Sequence, residues 1–399
     1  EPPVEPPVEP PVEPPVEPLH DEFKIEIGTN KKSSGKVYWD PKDPDTLNYA
    51  IQVTGESGSG KTQTIKSLIS QAASKGFPTM IVDYKNDYID PEFLEVGNFE
   101  VCEIGGGKSL PFNPFEINLN TTKPIHPMKT IYSVLDVFER ALGKDLTDPM
   151  QQALKKAMQV AYTERSNIDT KKNDYSAQEL QDTIWPDFPL IMKYLDVSDT
   201  PASTLAALHS RLDKIVDLGY LPIATESISF EATTDKNIVI SMKEVAGEGL
   251  KKLISQLIIM NYHGSILKSE GEHQFKSFLV FDEAHRIAEA KSIEDLIREA
   301  RAFGLGLILG SQFPSDIPEK VSGNISTRLY LLQKLSGKKK ELVDALADTN
   351  EQKAGLKSSI EALSVAEGFL KKQGQIIHLD FKPFNNISGA LIEVHAYKL

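Results

Sequence analysis

Gly55-Glu56-Ser57-Gly58-Ser59-Gly60-Lys61-Thr62 fits G-x-x-x-x-G-K-[ST], the signature of a phosphate-binding loop, and its flanks decide the fold. Before it, Tyr49-Ala50-Ile51-Gln52-Val53 has the apolar character of a strand; after it, residues 63–73 have helical periodicity. The glycines let the backbone curl so that successive N–H groups point inward as an anion cradle. The helix N-terminus adds partial positive charge beneath the phosphates. Lys61 then reaches the β- and γ-phosphates of a nucleotide, and Thr62 holds Mg²⁺ through its hydroxyl. The nucleotide-binding set is Gly55, Glu56, Ser57, Gly58, Ser59, Gly60, Lys61, Thr62 and, at the start of the helix, Gln63. A further strand, residues 79–83, follows the break at Gly76-Phe77-Pro78. Strand, helix and strand make a βαβ unit, which predicts an α/β fold with a mainly parallel sheet. Asp83 closes that second strand at the edge where ligands bind in such sheets; it either touches nucleotide-bound water or is a solvated strand end.

The 399 residues suggest two domains, or one large domain with an insertion, and 40% apolar content is enough for a sizeable core. A net charge of −13 excludes a protein built to coat nucleic acid, although it is compatible with a basic pore or groove. A single cysteine, Cys102, excludes an internal disulfide and a thiolate metal cage and fits a reducing cytosol. No apolar run approaches a membrane span and no signal peptide is present, so a cytoplasmic protein is expected.

Residues 1–16 are four copies of Glu-Pro-Pro-Val, and with Glu17-Pro18 they extend the Pro-rich linker to about residue 19. Proline at this density favours an extended polyproline rod, hence a spacer; a ligand for a proline-binding module is the alternative. Together with a start at Glu1, the spacer suggests a fragment with a further domain upstream. Residues 20–124 read as the first part of the ATPase core, opening with a hairpin at 23–27 and 36–39. From 125 to 225 the periodicity is helical, with stripes such as Leu205, Leu208, Leu212 and Ile215 and a capping box at Ser176 to Glu179, so a helical subdomain is inserted there. Residues 226–399 return to the core, with strands at 237–242, 278–281, 305–310, 325–332 and 375–379.

Phe278-Leu279-Val280-Phe281 ends in Asp282-Glu283, the form of a buried strand that delivers two carboxylates to its edge. Paired with the upstream phosphate loop, Asp282 holds Mg²⁺ through water and Glu283 polarises the attacking water. Gln312, at the end of the strand at 305–310, fits a sensor of γ-phosphate and water. Arg301, just before Gly304, either contacts a neighbouring copy's site or, like Arg298, belongs to a solvated helix face. Gly337-Lys338-Lys339-Lys340 reads as a basic loop that grips phosphates or carries solvated charge.

The block from Asp282-Glu283-Ala284-His285 through Arg298 to Ser311-Gln312, with the phosphate loop, Asp83, Asp87-Tyr88 and Asn113-Pro114-Phe115, resembles the HerA–FtsK superfamily of ring-forming DNA-translocating ATPases, in its HerA and VirB4 branch. The resemblance spans roughly residues 23–395. It implies a RecA-like α/β core with a helical insertion and a homohexamer with ATP sites between subunits that threads duplex DNA. It implies ATP and Mg²⁺ as cofactors, Lys61, Thr62, Asp282, Glu283 and Gln312 in the roles above, and Arg301 as an arginine finger acting in trans. Ala302 departs from the pattern, since a basic residue usually follows that arginine, and the β-barrel that precedes the motor in HerA proteins has no counterpart. DptH-type ATPases of phosphorothioation-dependent restriction are a specific likeness within the family, which implies phage defence and partner nuclease subunits.

The function expected is therefore ATP-driven translocation or unwinding of duplex DNA. The alternative is a VirB4-like ATPase driving protein or DNA transfer through a secretion system. A pure nucleotide switch needs no water-activating pair such as Glu283 and Gln312. An LSGGQ signature and an Asn-Lys-x-Asp guanine reader are both missing, and the later motifs of a DEAH-box RNA helicase do not appear, which leaves His285 a packing or supporting residue.

Overall fold

The computed structural model describes residues 23–119, 124–142, 146–225, 228–266, 274–287 and 291–385; the Pro-rich linker lies outside them. The chain opens with the antiparallel hairpin β1 (Ile25–Asn30) and β2 (Lys36–Trp39). β3 (Ala50–Thr54) runs into the phosphate loop and α1 (Lys61–Ser74), then β4 (Thr79–Asp83), α2 (Pro91–Gly97) and β5 (Glu100–Glu103). Four helices follow, α3 (Pro127–Leu142), α4 (Asp148–Ser166), α5 (Phe188–Asp196) and α6 (Ala202–Asp217). The short α7 (Phe230–Thr234) leads to β6 (Ile238–Ser241), α8 (Glu248–Ile266) and β7 (Ser277–Phe281). Then come α9 (Lys291–Ala300), β8 (Leu305–Ser311), α10 (Glu319–Ser322) and β9 (Thr327–Leu331). The described chain closes with α11 (Ser336–Leu346), α12 (Asn350–Glu361) and the hairpin β10 (Glu367–Lys372) and β11 (Gln375–Phe381).

These strands form one sheet in the order β2-β1-β11-β10-β9-β3-β8-β7-β4-β6-β5. From β9 to β5 every pairing is parallel, and from β9 back to β2 every pairing is antiparallel. Both faces of the parallel part are covered, which is why strands such as Leu279-Val280-Phe281 are continuously apolar instead of alternating. On one face Ile51, Val53, Ile81 and Val280 pack on Ile65, Leu68 and Ile69 of α1 and Phe93 of α2. On the other, Met80, Val82, Leu279 and Leu307 join Leu257 of α8, Leu296 of α9 and, without a break, Phe138, Leu154, Ile191 and Leu212 of α3–α6. Helices α3–α6 therefore share one core with the sheet. The rigid loop at 110–115 anchors it: buried Asn113 donates Nδ2–H to Pro186 O at 2.9 Å, and Tyr162 Oη donates to Phe115 O.

The phosphate loop, the Asp-Glu pair and Gln312 follow the C-terminal ends of β3, β7 and β8, and β8 lies between the other two strands. The expected basic loop at Gly337–Lys340 is instead the first turn of α11, which begins at Ser336. Lysine is a good helix former, and Lys338 lies three residues before Glu341 on the same face, where the pair is 2.6 Å apart.

Candidate nucleotide-binding site

The phosphate loop turns on two left-handed glycines, Gly58 at φ 75° and Gly60 at φ 97°, a region that residues with a side chain rarely adopt. A Cβ at Gly55 would overlap Ser59 Oγ, so the loop closes on itself only with glycine there. Gly60 also caps α1 and no side chain satisfies the first turn, which leaves its backbone N–H groups for a ligand. Other parts of the chain fix the loop from outside. Gly55 N donates to Ser311 O at 3.0 Å, and Ala366 N donates to Ser59 O at 2.9 Å. The Glu56 carboxylate accepts the backbone N–H groups of Lys334, at 3.0 Å, and Leu335, at 3.3 Å. Ser59 Oγ and Gln63 Oε1 are buried with no hydrogen-bond partner among the described residues. An open helix start, an inward-curled glycine loop and unsatisfied polar atoms fit a nucleotide polyphosphate.

Asp282 and Glu283 are 4% and 5% exposed, so each carboxylate needs close polar partners to offset its lost hydration. Lys61 Nζ bonds Asp282 Oδ1 and is 3.3 Å from its backbone carbonyl, and the Tyr88 hydroxyl donates to Asp282 Oδ2 at 3.0 Å. Gly310 on the adjacent strand makes room for that carboxylate, since a Cβ there would overlap Asp282 Oδ1. Glu283 Oε1 is 2.6 Å from Lys85 Nζ, and its Oε2 is 3.7 Å from His285 Nδ1. With Thr62 half-buried beside Lys61, the hydroxyl and carboxylate that a magnesium ion needs from the protein lie at one end of the loop.

Asp83 is not a solvated strand end. It is 1% exposed and accepts the backbone N–H groups of Lys85, Asp87 and Tyr88 at 3.0, 3.2 and 2.9 Å. Burial pushes its carboxyl above the usual range, against the pull of those three bonds. It therefore shapes the loop that carries Lys85 and Tyr88 to the Asp-Glu pair. Burial first, and then the negative charge of Asp282, hold the Tyr88 phenol protonated and so able to donate.

Gln312 follows β8 directly, half-buried, with its backbone N–H on Asp316 Oδ2 at 2.9 Å and its carbonyl accepting Gln333 Nε2 at 3.0 Å. Gly55 to Gln63, Asp282, Glu283 and Gln312 thus share one edge of the sheet. Arg301 does not. It lies in a 3-10 turn before β8, at the opposite edge, where it donates to Leu47 O. Arg298 pairs with Glu294 one turn earlier on α9. Lys338 lies 4.4 Å over the Phe313 ring, so the start of α11 braces the segment after Gln312. Sequence reasoning gave no role to Lys85, Gly310 or the carboxylate of Glu56, because their partners lie far away along the chain.

These features define a P-loop nucleotide-binding protein with a RecA-like core: a parallel sheet, an uncapped glycine-rich helix start, and a buried Asp-Glu pair one strand away from it. Within that class, the sequence profile of the type IV secretion-system coupling protein DNA-binding domain matches residues 41–331, and the chain belongs to this family. The DNA double-strand break repair helicase HerA of Sulfurisphaera tokodaii is 23% identical over 355 residues, 84% of this chain. The chain spans 66% of that relative and 65% of the corresponding protein of Sulfolobus acidocaldarius, just under two thirds of each. Among solved structures, VirB4 of Thermoanaerobacter pseudethanolicus matches with a TM-score of 0.71 at 19% identity, over 92% of this chain and 98% of that one. The plasmid coupling protein TrwB in complex with a non-hydrolysable ATP analogue matches at 0.55 and 14% identity, over 90% and 95%. The expected RecA-like fold with its mainly parallel sheet agrees with both.

Proposed function

We propose that this chain is the motor domain of an ATP-hydrolysing machine that translocates or unwinds duplex DNA. One observation carries the ATPase reading: Lys61 and Asp282 are in direct contact, with Glu283 adjoining and Gln312 directly after the strand between. Bound magnesium-ATP supplies the transferable phosphoryl group and the cation that neutralises its charge. With magnesium-ATP bound, Lys61 would turn from Asp282 to phosphate oxygens, and Asp282 and Thr62 would hold the metal. Glu283 accepts the proton of the attacking water, and Gln312 orients that water against the γ-phosphate. Arg301, on the far edge from its own loop, would serve the site of a neighbouring copy. That arrangement supports a homohexameric ring with DNA in its channel. The halves 20–124 and 226–399 would form the motor and 125–225 its helical insertion.

The likeness to proteins named DNA repair helicases supports a role in DNA processing. Restriction or antiviral defence with partner nucleases, and a cytoplasmic location, are finer readings of the same proposal. Among the described residues no helix is long and apolar enough to cross a membrane. A second reading, transfer of DNA or protein through a secretion system, is favoured by the family match and by the extent of the VirB4 likeness. Displacement of a triplex-forming strand from linear duplex DNA separates the two. ATP-dependent displacement by the wild type, lost in Glu283→Gln, is expected. Turnover without displacement would favour the secretion reading.

A further inference from the structure

The base assigned above does not stand ready for water. The Glu283 side chain is 7% exposed, and its Oε1 is held at 2.6 Å by Lys85, whose own side chain is 46% exposed. The pair is lopsided: the carboxylate is buried and the ammonium reaches the surface. The loop backbone is held by Asp83 on the N–H groups of Lys85, Asp87 and Tyr88, and the neighbouring side chains by Tyr88 on Asp282 and by Asn86 Oδ1 accepting from Ser241 Oγ. The Lys85 side chain is the part left to move, on a flexible four-carbon stem with rotatable donors. Arg286 nearby is no substitute partner, since it pairs with Glu248 and lies 5.0 Å over the Tyr84 ring.

We propose that Lys85 is a positioning residue that withholds Glu283 from the attacking water until a phosphate group takes its ammonium. The inference rests on the ATPase reading and deepens it. A carboxylate in a charge-assisted bond to an ammonium is a poor proton acceptor, and removal of the ammonium leaves a buried oxygen whose natural replacement partner is water. Two phosphates offer the needed chemistry: the nucleotide's terminal phosphate and the backbone of DNA at the exposed end of the pair.

The test is steady-state ATP hydrolysis by the full chain as wild type, Lys85→Ala, Lys85→Arg and Glu283→Gln, with and without long duplex DNA. If DNA takes the ammonium, Lys85→Ala raises DNA-free turnover about tenfold, roughly the worth of one charge-assisted bond, and flattens the stimulation by DNA. Lys85→Arg then restores the DNA response. If the nucleotide takes it, Lys85→Ala raises turnover equally with and without DNA and raises the KM for ATP. Unchanged or slower turnover of Lys85→Ala in both conditions overturns the proposal. Wild-type turnover by Glu283→Gln would instead sink the assignment of Glu283 as base, which is the reading underneath.

Discussion

Asp282 is where residues from four parts of the chain converge: Lys61 from the phosphate loop, Tyr88 from the loop after β4, Gly310 from β8, and its own place after β7. Among the described residues, Tyr88 is the donor to the Asp282 carboxylate besides Lys61, and Tyr88→Phe removes it. We expect about a tenfold loss in kcat/KM at limiting Mg²⁺ with folding intact, measured by magnesium titration of ATP hydrolysis. An unchanged magnesium dependence would count against it. Gly310→Ala places a methyl group on the Asp282 carboxylate and should cost about 1–3 kcal/mol in chemical denaturation. The pairing of Gly55–Thr62 with Asp282-Glu283 was legible in sequence, because each motif is local: glycines at fixed spacing, and an apolar run that ends in two acids. Lys85 and Tyr88 were not legible as contacts. Their partners Glu283 and Asp282 lie 198 and 194 residues away, and a polar residue in a loop carries no mark of what it will face.

At the scale of elements, legibility followed burial. β4 falls where its pattern predicted, because it is a short, fully buried apolar run that follows the clear break at Gly76-Phe77-Pro78. α12 went unread although Thr349-Asn350-Glu351-Gln352 is a capping box whose reciprocal bonds are formed, and the helix behind it is too polar to announce itself. The lysines of α11 read as a loop for the same reason. Among the helices α3–α6, His209 of α6 is held between Asp213 at 2.6 Å and Asp196 of α5 at 2.7 Å. The Asp213 bond, and then that of Asp196, raise its pKa above the ordinary value of 6.5. A raised folded pKa contributes stability that is complete below the unfolded value and disappears as pH rises through the folded one. The α5–α6 junction should therefore be tighter at pH 6 than at pH 9. Urea midpoints of the wild type should fall relative to His209→Gln over that rise, and parallel midpoints would contradict it.

At the scale of the molecule, the sheet separates the assigned chemistry from Arg301. Lys61, Asp282 and Glu283 lie at the C-terminal edge and Arg301 at the other, so a ring that shares sites between copies uses both edges at once. Mixing Arg301→Ala with Lys61→Ala tests this. Each alone should be nearly inactive, since an arginine finger is worth about 10³–10⁵ in rate. Mixed rings should recover activity, because some sites pair an intact loop with an intact finger; no recovery would contradict a shared site.

The most direct test of the central claim is ATP hydrolysis with and without long duplex DNA, for the wild type beside Lys61→Ala and Glu283→Gln. The account predicts strong stimulation by DNA in the wild type, with Lys61→Ala failing to bind nucleotide and Glu283→Gln binding it while turning over about 10²–10⁴ times more slowly. Turnover that DNA leaves unchanged, or that survives in Glu283→Gln, would contradict it.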